Sequence, residues 1–281
     1  MSGTTAPATA AGLRPLLEAL GKLALEGLDE ALSRRSRLQV TQKRSAHDLV
    51  SDADRAIEEA LCAEIGRLRP DAGFLGEENG WRDAAEREDL TFVVDPVDGT
   101  MNFVHGLGWA CTSIGVLAGG GAVAGCIVDP YRRELFCVGG PGDHTTCNGA
   151  AVAVADGAGL AGAVVLVEVP SAVAPGVLAP VQEAVLAAGG SPRFMGSGAL
   201  ALACVASGRA HAVVHAGPSI WDVAAGVALV EGAGGIVLGH EGAYHLGARG
   251  PLIAGAPEHC ALLGAALARC DLSGVGMGGP A

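Results

Sequence analysis

The chain has 281 residues, of which half are hydrophobic, and its formal net charge is −12. This length and composition provide a sizeable core, arranged as one large domain or as two closely fused halves. The acidic balance, without a basic patch, argues against nucleic-acid and membrane-surface binding. The eight cysteines form no C-x-x-C pair and are typical of the reduced thiols of a cytoplasmic protein. The sequence predicts neither a signal peptide nor a membrane-spanning segment.

The first half of the chain predicts two helices followed by short strands. Residues 1–10 resemble a disordered tail, and the stretches 13–35 and 51–68 carry apolar residues at helical spacing. Residues 91–95 are a short apolar run that is typical of a strand. Three glycine-punctuated runs within residues 111–140 predict strands that pair in antiparallel fashion.

From about residue 160 the pattern changes to alternating strands and helices. The predicted strands cover residues 163–169, 210–217 and 236–239, and the predicted helices cover residues 179–190, 198–208 and 222–235. Such alternation is typical of an α/β layer. The sequence therefore predicts an α+β first half over residues 1–155 and an α/β second half over residues 156–272, with a flexible tail over residues 273–281.

A pair of aspartates offers the clearest chemistry. Asp95 and Asp98 end the predicted strand in the segment "DPVDGT", and Gly99 and Thr100 follow at once. Two carboxylates this close repel each other unless a cation or a proton is present. Gly99 allows close backbone approach, and Thr100 can cap a helix whose first N–H groups suit a phosphate. The segment predicts metal-assisted phosphate chemistry, with a ligand-free Asp-Pro-x-Asp-Gly turn as the alternative.

A second acidic pair and a lysine add to this interpretation. Glu77 and Glu78 follow a glycine in "GFLGEENG" and offer the oxygen ligands that Mg²⁺ prefers, although a solvated acidic loop has the same composition. Lys43 is one of two lysines in a chain with sixteen arginines. A compact ammonium group close to a phosphate would explain this lysine, and chance is an adequate alternative.

Two further aspartates each have a purely structural alternative. Ser51 and Asp54 have the spacing of a capping box at the start of a predicted helix. Asp222 immediately precedes an apolar helix, as an N-cap residue does. For both aspartates, helix capping and a role in the site remain open at this point.

In their order and spacing, these segments resemble the inositol monophosphatase family of Mg²⁺-dependent, typically lithium-sensitive phosphatases. The segments that carry the resemblance are "DLVSDAD", "GEEN", "VVDPVDGTMNFVHG", "GDHTTCNG" and "WDVAAGVALVEGAGG", all within residues 43–240. The resemblance implies a layered α-β-α-β-α sandwich that combines an α+β half with an α/β half. It also implies that residues 1–272 form a single domain.

The resemblance further implies a set of site residues. The metal ligands would be Glu77, Asp95, Asp98, Asp222 and the carbonyl oxygen of Val97, for two or three Mg²⁺ ions. Asp54 and Thr100 would form a catalytic relay that orients and deprotonates the attacking water. Glu78 and Lys43 would lie near this relay, and the N–H groups of Gly99 and Thr100 would hold the phosphate.

The substrate side departs from the family pattern. His215 stands where inositol phosphatases commonly carry a glutamate that holds a sugar hydroxyl, and an imidazole does not replace a carboxylate acceptor one for one. Gly196, Ser197 and Gly198 replace a Gly-Thr-Ala-like turn. We predict that these four residues and Ser171 contact the substrate. A structural histidine at a strand end is the alternative for His215.

We therefore predict an Mg²⁺-dependent phosphatase that hydrolyses a small phosphomonoester, such as an inositol monophosphate or a sugar phosphate. The alternatives on the same fold are a phosphatase of histidinol phosphate or of a nucleotide such as 3′-phosphoadenosine 5′-phosphate. A non-catalytic metal or sugar-phosphate binding protein and a structural or assembly protein also stay open. The resemblance also implies lithium inhibition and a cytoplasmic homodimer that binds a small molecule, rather than a nucleic-acid polymer or a membrane.

Overall fold

The structure of the protein is a computed structural model, and it describes residues 12–42, 49–82, 90–157, 159–170, 173–174, 176–240, 242–247, 250–273 and 275. Lys43 and Ser171 lie outside the described residues, as do the predicted N-terminal tail and most of the predicted C-terminal tail. Within the described part, no helix combines the length and the apolar character that crossing a bilayer requires.

The bounds of the regular elements are as follows. The helices are α1 (Arg14–Ser33), α2 (Asp52–Leu68), α3 (Thr100–His105), α4 (Ala179–Ala187), α5 (Gly198–Ala206), α6 (Ile220–Gly232) and α7 (Pro257–Leu267). The strands of the first half are β1 (Val40–Gln42), β2 (Leu49–Ser51), β3 (Gly73–Gly76), β4 (Gly80–Arg82), β5 (Thr91–Asp98), β6 (Cys111–Ala118), β7 (Gly121–Asp129), β8 (Glu134–Val138), β9 (Thr146–Cys147) and β10 (Ala150–Ala151). The strands of the second half are β11 (Val164–Glu168), β12 (Ser191–Arg193), β13 (Ala212–His215), β14 (Ile236–Gly239), β15 (Gly242–Ala243) and β16 (Leu252–Gly255).

The first large sheet has eight strands in the order β10-β9-β8-β7-β6-β5-β3-β4. Adjacent strands of this sheet run antiparallel, except that β3 and β5 run parallel to each other. The antiparallel strands predicted within residues 111–140 are β6, β7 and β8, so this prediction is confirmed. The strand predicted over residues 91–95 is longer than expected, since β5 continues through Pro96 to Asp98. Pro96 has no N–H for the ladder, and the pairing with β6 shifts register there.

The second large sheet has six strands in the order β12-β11-β13-β16-β14-β15. The predicted strands over residues 163–169 and 210–217 are β11 and β13, which run parallel, and β12, which was not predicted, runs parallel to β11. The other half of this sheet is antiparallel and depends on β16, which pairs with both β13 and β14. Neither β16 nor the helix α7 that follows it was predicted from the sequence.

Three clusters of buried apolar side chains lie between the layers of the molecule. Helices α1 and α2 pack on one face of the first sheet. Helices α5 and α6 lie between the two sheets, and α4 and α7 cover the opposite face of the second sheet. This order of layers is the predicted α-β-α-β-α sandwich, which is thereby confirmed.

Two glycines of the first sheet allow α6 to approach it closely. A Cβ atom at Gly115 would lie 2.6 Å from the Cβ of Ala224, and one at Gly125 would lie 2.7 Å from the Cα of Ala225. A larger side chain at either glycine would push α6 away from the sheet. Because Asp222 lies in the first turn of α6, this contact sets the distance between Asp222 and β5.

Candidate metal centre and active site

Two of the predicted metal ligands lie at the carboxyl end of β5 and are almost fully buried. The Oδ1 of Asp95 accepts a hydrogen bond of 3.0 Å from the N–H of Val97. The Oδ2 of Asp98 accepts from the Ser197 hydroxyl at 2.6 Å and from the Ala199 N–H at 2.7 Å. Asp98 is therefore held by the start of α5, which belongs to the second half of the chain.

The third aspartate of the site also comes from the second half. Asp222 is the third residue of α6, and its Oδ2 accepts a hydrogen bond of 2.8 Å from the Ser219 N–H. It therefore supports the start of the helix, but the N-cap position that the sequence suggested for it belongs to Ser219. One carboxylate oxygen from each of Asp95, Asp98 and Asp222 lies within 4.8 Å of the others.

These carboxylates repel one another. Burial, followed by the charges of three neighbouring carboxylates, raises the pKa of Asp95 well above its usual value. Those neighbours are Glu77, Asp98 and Asp222. Burial also raises the pKa of Asp98 to about 6. Like charges in a buried site must share protons or bind a cation. An all-oxygen donor set of this kind fits a hard divalent ion such as Mg²⁺.

Asp54 combines the capping role with a contact to Thr100. Its Oδ2 accepts hydrogen bonds from both the N–H and the hydroxyl of Ser51, so the predicted capping box is confirmed. The Thr100 Oγ1 lies 3.3 Å from Asp54 Oδ1 and 2.9 Å from the carbonyl oxygen of Val97. This hydroxyl has one proton, so it donates to one of these acceptors at a time. Burial raises the pKa of Asp54 to about 6, which suits a proton acceptor near neutral pH.

Gly99, rather than Thr100, is the N-cap residue of α3. Its φ of 85° lies in the left-handed region, which glycine adopts without steric cost. A Cβ atom at this position would lie 2.9 Å from the Trp109 carbonyl oxygen and 3.1 Å from the Gly196 carbonyl oxygen. Gly99 is therefore required by its backbone conformation and by its close contact with the second half of the chain.

The acidic pair Glu77 and Glu78 follows β3, a strand that was not predicted from the sequence. The Glu77 N–H donates to the Val94 carbonyl oxygen on β5 at 3.1 Å. The Glu78 N–H donates to the carboxylate of Glu58 on α2 at 2.8 Å. These two bonds hold the turn against the first sheet, where the charge of Glu77 acts on the neighbouring aspartates.

Two side chains hold the turn that precedes α5. The Glu168 carboxylate accepts hydrogen bonds from the N–H groups of Met195, at 3.3 Å, and Gly196, at 2.8 Å. The Asn102 Nδ2 donates to the carbonyl oxygen of Met195 at 2.7 Å and to that of Trp109 at 2.9 Å. Burial raises the pKa of Glu168 to about 8. The turn is thus fixed from both sides, by an acceptor from β11 and a donor from α3.

His215 lies at the end of β13 and is 6% exposed. A Cβ atom at Gly198 would lie 3.0 Å from the Cδ2 and Nε2 of this imidazole, so the ring packs against the start of α5. Its Nδ1 is buried without a hydrogen-bond partner among the described residues. Burial lowers the pKa of His215 to about 3, so the ring is neutral at physiological pH.

The structure brings most of the predicted site residues to one place. The residues that were predicted to bind metal or phosphate or to form the relay lie around the end of β5. They are Asp54, Glu77, Asp95, Val97, Asp98, Gly99, Thr100 and Asp222. The predicted substrate contacts Gly196, Ser197 and Gly198 lie beside them, at the start of α5. Ser197 is 1% exposed and bonds to Asp98, so a contact of its side chain with substrate stays a prediction.

Three residues of this region were not predicted from the sequence, namely Glu58, Asn102 and Glu168. Glu58 follows Asp54 by four residues, so both lie on one face of α2, and this spacing was an available signal. Glu168 interrupts an apolar strand, where a charged residue is rare unless it is paired. The bonds of Asn102 reach residues distant in the chain, and no local pattern indicates them.

Comparisons with known proteins agree with this geometry. The sequence profile of the inositol monophosphatase family matches residues 12–271. The chain is 36% identical to a protein named Nus factor SuhB from Pasteurella multocida, over 80% of this chain and 84% of that protein. It is 37% identical to an inositol-1-monophosphatase from Mesorhizobium japonicum, over 78% of this chain and 82% of that protein. The crystal structure of extragenic suppressor protein suhB from Bartonella henselae matches with a TM-score of 0.82 at 32% identity, covering 91% of this chain and 99% of that one.

Proposed function

The chain belongs to the inositol monophosphatase family, and we propose that it is an Mg²⁺-dependent phosphatase that hydrolyses a small phosphomonoester. The observation that carries this proposal is the cluster of Asp95, Asp98 and Asp222, whose carboxylate oxygens lie within 4.8 Å of one another. These residues, with Glu77 and the carbonyl oxygen of Val97, would hold the metal. When bound, Mg²⁺ would neutralise charge on the phosphoryl oxygens and lower the pKa of the attacking water.

The remaining site residues would hold the phosphate and move a proton. The N–H groups of Gly99 and Thr100 lie at the start of α3, where N–H groups have no partner within the helix and can bind phosphate oxygens. The Thr100 hydroxyl would accept a proton from water and pass its own to Asp54 Oδ1, which lies 3.3 Å away. Glu78 and Lys43 are further catalytic candidates from the family resemblance.

We propose an inositol monophosphate or a sugar phosphate as the substrate, with histidinol phosphate and 3′-phosphoadenosine 5′-phosphate as alternatives. The proposed contacts to the leaving group are Ser171, Gly196, Ser197, Gly198 and His215. A neutral imidazole offers one donor and one acceptor, whereas a glutamate at this position would offer acceptors only. His215 therefore favours a leaving group whose hydroxyl or amine pattern differs from that of the inositol phosphatases.

The second candidate function is that of a non-catalytic factor, and it is suggested by the names of some relatives. The relatives called Nus factor SuhB and inositol-1-monophosphatase match the chain at nearly equal identity, 36% and 37%. Identity alone therefore does not choose between an enzyme and a non-catalytic factor. The presence of Asp54 and Thr100 beside the three clustered aspartates favours the enzyme.

The finer properties of the protein are proposals from the family resemblance. We propose that two or three Mg²⁺ ions bind together, that Li⁺ inhibits the reaction, and that the protein acts as a cytoplasmic homodimer. A Li⁺ titration of phosphate release tests the inhibition, and light scattering of the purified protein tests the dimer.

The activity is tested by measuring phosphate release with and without Mg²⁺, for the wild-type protein and the Asp98→Asn variant. The substrates are inositol 1-phosphate, fructose 1,6-bisphosphate, histidinol phosphate, 3′-phosphoadenosine 5′-phosphate and adenosine monophosphate. We expect strong release from one ester, and at least about 100-fold less in the variant or without metal. A folded wild-type protein that binds Mg²⁺ and releases phosphate from none of these esters would favour the second candidate.

A further inference from the structure

Glu58 is a fully buried carboxylate that lies behind the acidic turn of the site. Its Oε2 accepts a hydrogen bond of 2.8 Å from the Glu78 N–H. Its Oε1 accepts from the backbone N–H of Asn79 at 3.0 Å and from the Asn79 Nδ2 at 2.7 Å. Hydrogen bonds to an ionised acceptor are roughly twice as strong as neutral ones. One side chain of α2 thus holds two consecutive backbone N–H groups of the turn.

The chain makes room for this carboxylate by placing Gly76 at the end of β3. A Cβ atom at Gly76 would overlap the carboxyl group of Glu58. Gly76 therefore leaves free the space that the buried carboxyl group of Glu58 occupies.

Helix α2 supports the site at two points, one helical turn apart. Asp54 contacts Thr100 at the start of α3, and Glu58 contacts the turn after β3. Residues four apart lie on the same face of a helix, so a single rigid element positions both segments. The turn itself is attached at two places, through the Glu77 N–H to β5 and through the Glu78 N–H to Glu58.

We propose that Glu58 is a positioning residue that holds Glu77 in place for metal binding. The proposal rests on the proposed function, because it concerns the same metal centre. Without Glu58, the N–H groups of Glu78 and Asn79 would lose their acceptor, and the turn would move relative to Asp95. Groups that orient metal ligands typically change metal affinity by about 10- to 100-fold when they are removed.

The Glu58→Gln variant tests this role because a glutamine is of nearly the same size. Glu58 accepts N–H groups on both of its oxygens, so an amide would face one N–H donor with its own NH₂ group. The matched control is Glu64→Gln, which removes a carboxylate of the same helix that pairs with Arg67 at the surface. Calorimetric Mg²⁺ binding to the whole protein is the readout, so no activity is required. We expect Mg²⁺ binding about 10- to 100-fold weaker in Glu58→Gln and unchanged in Glu64→Gln.

The Glu58→Asp variant shows whether Mg²⁺ binding depends on the position of the carboxyl group or on its negative charge. An aspartate keeps the negative charge but is one methylene shorter, so it cannot reach the same N–H groups without moving the turn. We expect Glu58→Asp to weaken Mg²⁺ binding as Glu58→Gln does. If Glu58→Asp binds Mg²⁺ as the wild-type protein does while Glu58→Gln does not, charge rather than position is responsible and the proposal is overturned.

A milder variant keeps the test valid if Glu58→Gln does not fold. Asn79→Ala removes only the side-chain donor to Glu58, and we expect Mg²⁺ binding to weaken by about two- to tenfold. Wild-type affinity in folded Glu58→Gln, or in Asn79→Ala where Glu58→Gln does not fold, would overturn the role of Glu58. A wild-type protein that binds no Mg²⁺ would instead contradict the proposed function, so the two failures are distinguishable.

Discussion

The proposed metal side and the proposed substrate side of the site differ in how their polar groups are balanced. The metal side is formed by Glu77, Asp95, Asp98 and Asp222, and the substrate side by Glu168, His215 and the turn over residues 195–198. On the metal side, burial and then the charges of neighbouring carboxylates raise the pKa of Asp95. On the substrate side, backbone N–H groups cover Glu168 and burial keeps His215 neutral.

From this difference we expect substitutions on the substrate side to have little effect on the metal side. The carboxylates of the metal side repel one another unless they share protons or bind a cation, so a change in one of them affects the others. On the substrate side, Glu168 already accepts hydrogen bonds from the backbone, so we expect an exchange at position 215 to leave the metal side intact. Ser197 joins the two sides, because it precedes α5 and also donates to Asp98.

The largest effect on activity is expected from Asp95→Asn, which removes one carboxylate from the metal side. Phosphate release should fall at least about 100-fold, because a proposed metal ligand is lost. The metal-free protein should nevertheless become more stable, by roughly 1 kcal/mol, because one repelling charge is removed. This corresponds to an increase in Tm of about 2–4 °C in thermal unfolding with chelator present. Added Mg²⁺ should raise the Tm of the wild-type protein more than that of the variant.

The control for this prediction is a buried aspartate that has a cationic partner. Asp129 accepts hydrogen bonds from the Arg132 guanidinium at 2.6 Å and from the Tyr131 N–H at 2.8 Å. Asp129→Asn should lower the Tm and keep the response to Mg²⁺. A metal-free Asp95→Asn protein that loses as much stability as Asp129→Asn would show that repulsion between carboxylates does not control the stability of the metal side.

A smaller effect on catalysis is expected from Ser197→Ala, which removes the link between the two sides. If Ser197 serves mainly to hold Asp98, the Mg²⁺ concentration for half-maximal activity should rise about tenfold while the KM for the ester stays constant. Ser207→Ala is the control, since the Ser207 hydroxyl bonds to the carbonyl oxygens of Ala203 and Cys204, at the far end of α5 from Asp98. A raised KM with unchanged Mg²⁺ dependence would instead support the predicted substrate contact of Ser197.

The smallest expected effect is a change in the dependence of stability on pH, in the His215→Gln variant. The folded protein holds His215 with a pKa of about 3, against about 6.5 in an unfolded chain, so only the unfolded chain binds this proton near pH 5. The wild-type protein should therefore lose about 2 kcal/mol more than the variant between pH 7 and pH 5. Urea unfolding at both pH values measures this difference.

The corresponding control is His144→Gln, because the His144 side chain is 68% exposed. This variant should keep the wild-type dependence of stability on pH. If His215→Gln also keeps the wild-type dependence of stability on pH, His215 binds a proton in the folded state. The prediction that His215 is neutral would then be wrong.

Local patterns were sufficient for many elements and for the core of the site. Apolar periodicity indicates α1 and α2, alternation of short runs indicates the strands around residues 111–140, and the capping box at Ser51 forms as predicted. These features depend on hydrogen bonds and side-chain spacing within a few residues, which the sequence displays directly. The same holds for Asp95, Asp98 and Gly99, because one short segment contains both the carboxylates and the tight turn.

Other features depend on contacts between distant segments, and local pattern did not predict them. Strand β5 extends past Pro96 because β6 lies beside it, and β16 joins the second sheet because β13 and β14 offer it edges. Asp222 reaches the other aspartates because glycines in the first sheet allow α6 to approach.

The supporting residues show the same limit most clearly. A glutamate in α2 is ordinary in sequence, and it becomes a buried acceptor for the acidic turn only when β3 ends at Gly76 beside it. The sequence by itself therefore determined which residue types can bind metal and phosphate, since that is a property of their atoms. The tertiary structure decided which of them meet and what holds them there, because burial and hydrogen-bond partners arise only when distant segments pack together.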